Sequence, residues 1–204
     1  MNSKFFKKLP SYISIIFLSL GFCLSAGRFA AASTSSILID ADSGKVLSSS
    51  AADKLRYPAS LTKLMTLYIT FDALEKGLIK MDDKLPVSRN AANRSPSKLG
   101  LRAGEKISVH DAIMALVIKS ANDCATVLAE GLGYTEANFA NTMTQVAHEL
   151  GMKNTTFKNA SGLPNKAQKT TARDMAILGA AVYHHFPQYY KLFSAKKFTY
   201  KGQT

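Results

Sequence analysis

YPASLTKLMT, residues 57–66, decides how this chain reads. It opens a helical pattern in which Leu61, Leu64, Met65, Tyr68, Ile69 and Leu74 recur at helical spacing, with Gly77 as the stop. The spacing predicts a helix over 60–75, apolar on most sides and therefore central. Ser60 stands at its entrance and Lys63 one turn deeper. Residues three apart share a helix face, so hydroxyl and amine can be brought together. A serine hydroxyl needs a base to become a nucleophile. Lysine is that base only when neutral, and lowering it about three units from near 10.4 corresponds to roughly 4 kcal/mol. Burial among apolar residues and the positive end of a helix both push in that direction. Alone, the pair reads as a capping serine followed by a solvated lysine, so its meaning depends on the rest of the chain.

Upstream, Ser36 to Ala41 alternates apolar and polar residues, meets Asp42-Ser43-Gly44 and resumes at Lys45-Val46-Leu47, which predicts a β-hairpin. Downstream, residues 82–106 are rich in Asp, Pro, Asn, Ser and Gly and read as a long ordered loop. Ser108, with Asp111 three positions on, then caps a helix running to Lys119. A break at Ser120 to Asn122 precedes a second helix ending near Gly131. Thr135 caps a third, whose Phe139, Met143, Val146, Ala147 and Leu150 form one apolar stripe closed by Gly151. Thr171 with Asp174 repeats the capping pattern before Met175 to Tyr183, Pro187 ends that run, and Lys197 to Tyr200 reads as a strand beginning. This order predicts an α+β domain with helices packed on an antiparallel sheet.

Residues 1–32 read as a secretory signal peptide, leaving 33–204 as the functional domain. Lys4, Lys7 and Lys8 precede an apolar run from Tyr12 to Leu24, and Ala30 with Ala32 fits a cleavage site before Ser33. The run of about 13 residues is short of the roughly 20 needed to span a bilayer. Phe22, in place of a small residue before Cys23, argues against a lipid-modified cysteine. Removal of this segment takes away Lys4, Lys7, Lys8 and Arg28 and no acid, so the formal charge falls from +12 to +8. The remaining lysines are scattered rather than gathered in a run with interleaved aromatics, so no nucleic-acid partner is expected; a basic face attracted to an anionic envelope is. Cys124 is then the single cysteine, which excludes an internal disulfide. His110, His148, His184 and His185 lack metal-ligand spacing, so neither metal nor cofactor is expected.

The Ser120-Ala121-Asn122 tripeptide, placed at a break between helices sixty residues after Ser60, changes the weight of the first pair. SxxK followed by SxN resembles the active-site serine penicillin-recognising enzymes. The surroundings narrow this: Tyr57 to Thr66, Lys119-Ser120-Ala121-Asn122-Asp123, Gly151-Met152-Lys153-Asn154-Thr155-Thr156-Phe157, Ser161-Gly162-Leu163-Pro164 and Thr171-Ala172-Arg173-Asp174-Met175 are similar to the low-molecular-weight D-alanyl-D-alanine carboxypeptidases from about Ser36 to Thr204.

That resemblance implies a β-lactamase/transpeptidase-like fold and a set of roles. Ser60 would be the nucleophile attacking the carbonyl between the terminal D-alanines of a peptidoglycan stem peptide, and Lys63 would take its proton. Ser120 would relay a proton to the leaving D-alanine, while Asn122 would hold the substrate backbone and help orient Lys63. The Ser60 N–H is suited to one half of an oxyanion hole. β-Lactams would acylate the same serine. The resemblance further implies export to the periplasm or the outer face of the bacterial cytoplasmic membrane, with peripheral membrane association through a C-terminal region beyond this sequence.

One family feature is missing. The Lys-Thr-Gly motif is absent, and Lys169-Thr170-Thr171 lacks its glycine and already leads into a capped helix. The expectation is a catalytic domain truncated before that strand, with an incomplete sheet and poor activity by itself. Two other readings are a class A β-lactamase, which needs a deacylating glutamate that Glu130, Glu136 and Glu149 do not supply in an ExxLN-type stretch, and a non-catalytic cell-wall binding relative.

Overall fold

The computed structural model describes residues 34–202. The signal-peptide reading of residues 1–32 falls outside them.

The hairpin forms as its alternation demands: β1 (Ser36–Ile39) pairs antiparallel with β2 (Val46–Ser50), with an irregularity between Leu38 and Ile39. Its turn is built by Asp40, whose Oδ1 accepts from Ser43 N at 2.8 Å, and by Gly44 at φ +70°, which a side chain would disfavour. Ile37 and Ile39 are half-buried, whereas Leu38, Val46 and Leu47 are exposed.

A 3₁₀ turn at Ala59–Leu61 leads into α1 (Thr62–Glu75), so Ser60 sits in a tight entry turn and not at the cap of the α-helix itself. Met65, Leu67, Tyr68 and Phe71 are buried, and so are Thr62, Lys63, Thr66 and Thr70, which puts polar groups on the inward face of a central helix. Each large apolar side chain so buried contributes about 1.5–3 kcal/mol.

The 82–106 region departs from expectation. It contains β3 (Lys84–Pro86) and α2 (Arg89–Ala92), and β3 pairs antiparallel with β4 (Lys106–Ser108). Three-residue strands are too short to show alternation, and Pro86 is tolerated because it lies at the strand's end. The rest is loop.

α3 (Val109–Lys119) is capped as predicted, Ser108 Oγ accepting from Asp111 N at 3.0 Å. α4 (Asn122–Gly133) follows after the break, and its residues from Asn122 to Ala129 are all buried against α1, α2, α3, α5 and β3. α5 (Glu136–Glu149) and α6 (Ala172–His185) carry the predicted caps, Thr135 on Asn138 N at 3.1 Å and Thr171 on Asp174 N at 3.0 Å. Pro187 ends α6 by opening α7 (Pro187–Tyr190), where its missing N–H costs nothing. Lys197–Tyr200 forms no extended strand among the described residues; only Tyr200 makes an isolated bridge. The described residues form a helical cluster around one core, with two small antiparallel sheets among them. No helix among the described residues is long and apolar enough to cross a membrane.

Candidate active site

Three elements converge on the entry turn of α1. Ser60 is exposed on the wall of a cavity of about 180 Å³, shared with Ser97, Ser120, Asn122, Ser161 and Gly162. Ser60, Ser120 and Asn122, sixty residues apart in sequence, therefore face one space. Two of the approaching backbones adopt left-handed conformations: Ala59, just before Ser60, has φ +47°, and Ser120 itself has φ +53°. Such conformations cost about 1–3 kcal/mol in a non-glycine residue and persist where the surroundings enforce them.

Lys63 lies below this surface, only 4% exposed. Its Nζ donates to the carbonyl of Ser161 at 2.5 Å rather than to the Ser60 hydroxyl. Burial pushes the ammonium down to about 8 from 10.5, the direction a lysine base requires. Packing thus delivers the expected perturbation, while the hydrogen-bond partner differs from the one the i, i+3 spacing suggests. Side chains on a helix point back toward its N-terminus, and the 158–163 loop lies over that end.

Asn122 is held from both ends. Its backbone N–H donates to Ser97 O at 2.8 Å and its Nδ2 to Ser95 O at 2.9 Å, so the 95–97 segment sets the amide's orientation. Ser97 Oγ in turn donates to Lys119 O at 2.8 Å, closing the loop on the end of α3. Asn122 is consequently the first residue of α4 and not a cap for it, a cap hydrogen bond from the side chain being absent there.

Residues 24–204 match the Peptidase S11 family, D-alanyl-D-alanine carboxypeptidase. The chain belongs to that family. D-alanyl-D-alanine carboxypeptidase DacF of Bacillus subtilis (strain 168) is 40% identical over 144 residues, which cover 71% of this chain and 37% of that protein. Among solved structures, penicillin binding protein 5 from Haemophilus influenzae superposes with a TM-score of 0.80 at 36% identity, covering 83% of this chain and 50% of that one. Penicillin-Binding Protein D2 from Listeria monocytogenes, in its ampicillin-bound form, gives 0.75 at 28% identity, covering 84% and 70%. The fold is that of the penicillin-binding proteins, as the two motifs imply. The chain spans about two fifths of the length of the curated relatives it matches.

Several residues around this carboxypeptidase-family site were not singled out from the sequence. Ser161 and Gly162 belong to a quoted family stretch, yet their placement against Lys63 and Ser60 is a long-range contact; the Ser-Gly-Leu-Pro turn signal marks a loop without saying what the loop touches. Ser95 and Ser97 give no signal at all. Cys124, beside the SxN break, is fully buried, and burial together with Asp123 raises its thiol well above the ordinary range, which suits a core residue and not a reactive thiol. No group of His, Cys, Asp or Glu among the described residues is arranged to hold a metal ion. Among the described residues the cavity lining contains no carboxylate, and Glu136 is engaged with Arg94 and with Ala160 N at 3.1 Å.

Proposed function

We propose that the protein is a serine-type D-Ala-D-Ala carboxypeptidase of the cell envelope, with Ser60 as nucleophile, Lys63 as general base, Ser120 as proton relay and Asn122 as substrate-backbone holder. The observation that supports this best is the convergence of Ser60, Ser120 and Asn122 on one cavity above a buried lysine whose pKa has fallen to about 8. The Ser60 oxygen bonds to the carbonyl carbon of the penultimate D-alanine while its proton passes to Lys63 Nζ. The C–N bond breaks as Ser120 relays the proton held by Lys63 to the departing D-alanine amine; water then adds to the ester carbonyl, and its proton passes through the freed Lys63 to the Ser60 oxygen as the ester C–O bond breaks. With a pKa near 8, about a tenth of Lys63 is neutral at pH 7, against well under a thousandth at the ordinary value. An N–H at the first helical turn lies ahead of the i→i−4 ladder, so the Ser60 amide is suited to receive the developing oxyanion.

A β-lactam offers a strained amide in place of the dipeptide and would acylate the same oxygen, in keeping with the ampicillin-bound relative. The signal-like residues 1–32 support export, and the formal charge of +8 left after their removal suits an anionic envelope. Association with the membrane surface through a further C-terminal region belongs to the same reading. Intact-mass measurement after incubation with penicillin tests it: one covalent adduct is expected, lost in Ser60→Ala and in Lys63→Ala. Persistent labelling of Ser60→Ala would remove the nucleophile from this account.

A further inference from the structure

We infer that Asn159 is a positioning residue for this site, holding the 158–163 loop so that Ser161 offers its carbonyl to Lys63 and Gly162 seats the Ala59–Ser60 peptide. The inference rests on the serine–lysine reading above.

The loop's polar backbone groups can be accounted for almost one by one. Lys158 N and Asn159 N both donate to Oε1 of the buried Gln168, at 2.9 and 3.2 Å. Ala160 N donates to Glu136 Oε1 at 3.1 Å, and Ala160 O accepts from Thr66 Oγ1 at 2.7 Å, which ties the loop to α1 one turn beyond Lys63. Among the described residues, Asn159 organises the next turn. Its Oδ1 accepts from Gly162 N at 2.7 Å and from Ser161 N at 3.2 Å, and its Nδ2 donates to Leu163 O at 2.9 Å. With these neighbours satisfied, the Ser161 carbonyl is left facing Lys63 Nζ.

The same turn carries Gly162 at φ +87°, where an added Cβ would stand 1.9 Å from Ala59 O and 3.1 Å from Ser60 N. Nothing larger than hydrogen fits between this loop and the peptide that leads into Ser60. One asparagine therefore shapes the loop that meets both members of the serine–lysine pair: the acceptor of the lysine's proton-bearing nitrogen and the surface against which the serine's backbone rests.

No carboxylate or second cation among the described residues contributes to the state of Lys63, whose depression comes from burial. Ser161, whose carbonyl accepts from it, and Asn159, which holds that turn, are uncharged, and Glu136, which holds the loop at Ala160, is paired with Arg94. Loosening the loop would admit water, raise the lysine towards its ordinary value and shrink its neutral fraction at pH 7.

The test uses two readouts on the whole protein: ¹³Cε NMR titration of Lys63, and the pH dependence of acylation by a fluorescent penicillin. Asn159→Ala is expected to raise the Lys63 midpoint by about one unit and to slow acylation at pH 7 about tenfold, with the deficit closing towards pH 9. Asn159→Ser retains a hydroxyl acceptor for the turn and should recover part of both. A wild-type midpoint in a folded Asn159→Ala protein would overturn the inference, as would an equal loss of acylation at every pH. Should Asn159→Ala fail to fold, an unshifted midpoint in Asn159→Ser overturns it as well. If the wild-type protein is not acylated at Ser60, it is the functional reading that fails, and the Lys63 titration still judges the role of Asn159.

Discussion

On the Ser60 side of the cavity the wall is held by backbone against backbone, Gly162 lying on the Ala59–Ser60 peptide with no room for a methyl group. On the Ser120 side a buried carboxylate does the holding. Asp123 Oδ1 accepts from Leu99 N and Cys124 N, both at 2.9 Å, and Oδ2 from Gly100 N at 2.8 Å and Leu101 N at 3.1 Å. That carboxylate pins the 95–101 loop whose Ser95 and Ser97 carbonyls fix Asn122. The difference has a chemical reason. The lysine wall must stay dry and uncharged if an ammonium is to lose its proton, so it is built from a glycine, a carbonyl and amides. The SxN wall holds an amide and a hydroxyl that need only orientation, and a charge beside them does no harm.

The largest effect that would break this contrast is Asp123→Ala. It leaves four backbone donors without their acceptor, and a loss of about 3–5 kcal/mol is expected, a fall in Tm of roughly 10 °C by thermal melting. The Lys63 midpoint should hardly move in the folded fraction, because the carboxylate serves the opposite wall. A large shift there would mean the two walls are one unit.

Gly162→Ala comes next. The new methyl must displace the Ala59 peptide, and about 2–4 kcal/mol of destabilisation is expected from overpacking at a left-handed φ. Penicillin acylation should fall about 100-fold in protein that remains folded, since the serine's backbone moves. Retained acylation would show that the close approach does not set the position of Ser60.

The third concerns pH. Lys63 has a folded value near 8 against 10.5 when unfolded, so between these pH values the unfolded chain binds a proton that the folded one has released. Stability contributed by this group therefore rises with pH from about 8 to 10.5, by an amount on the order of 3 kcal/mol at most, and is absent below that window. Urea unfolding of Lys63→Met should lack this rise when compared with wild type at each pH. Parallel curves would mean the lysine is hydrated and the dry wall is leaky.

The smallest effect is Thr62→Val. Thr62 Oγ1, between the serine and the lysine, is the one buried side-chain polar atom without a hydrogen-bond partner among the described residues. Replacing it with an isostere should leave stability unchanged or raise it by up to about 1 kcal/mol. A clear loss would reveal a partner for that hydroxyl.

Much of the fold was legible because its signals are local. Ser108, Thr135 and Thr171 each cap the helix their spacing predicts, since a cap needs only a side-chain oxygen and an N–H three residues on. The hairpin followed from alternation around a turn. β3 and β4 were missed because three-residue strands carry almost no pattern, and the expected strand at Lys197–Tyr200 because a strand exists only through its neighbour. At the site, Ser60, Lys63, Ser120 and Asn122 were readable as motifs, and all but Lys63 line the cavity directly.

By itself the sequence determined which atoms are available for chemistry: a hydroxyl one helical turn from an amine, and a second serine and an amide at a helix break. Tertiary structure alone decided that the amine would be buried, that Ser161 rather than Ser60 would accept its hydrogen bond, and that Gly162 would be pressed against the Ala59–Ser60 peptide. Motifs record residue types at short spacing. Desolvation and backbone approach depend on which segments, 98 residues apart in the case of Lys63 and Ser161, exclude water from one another.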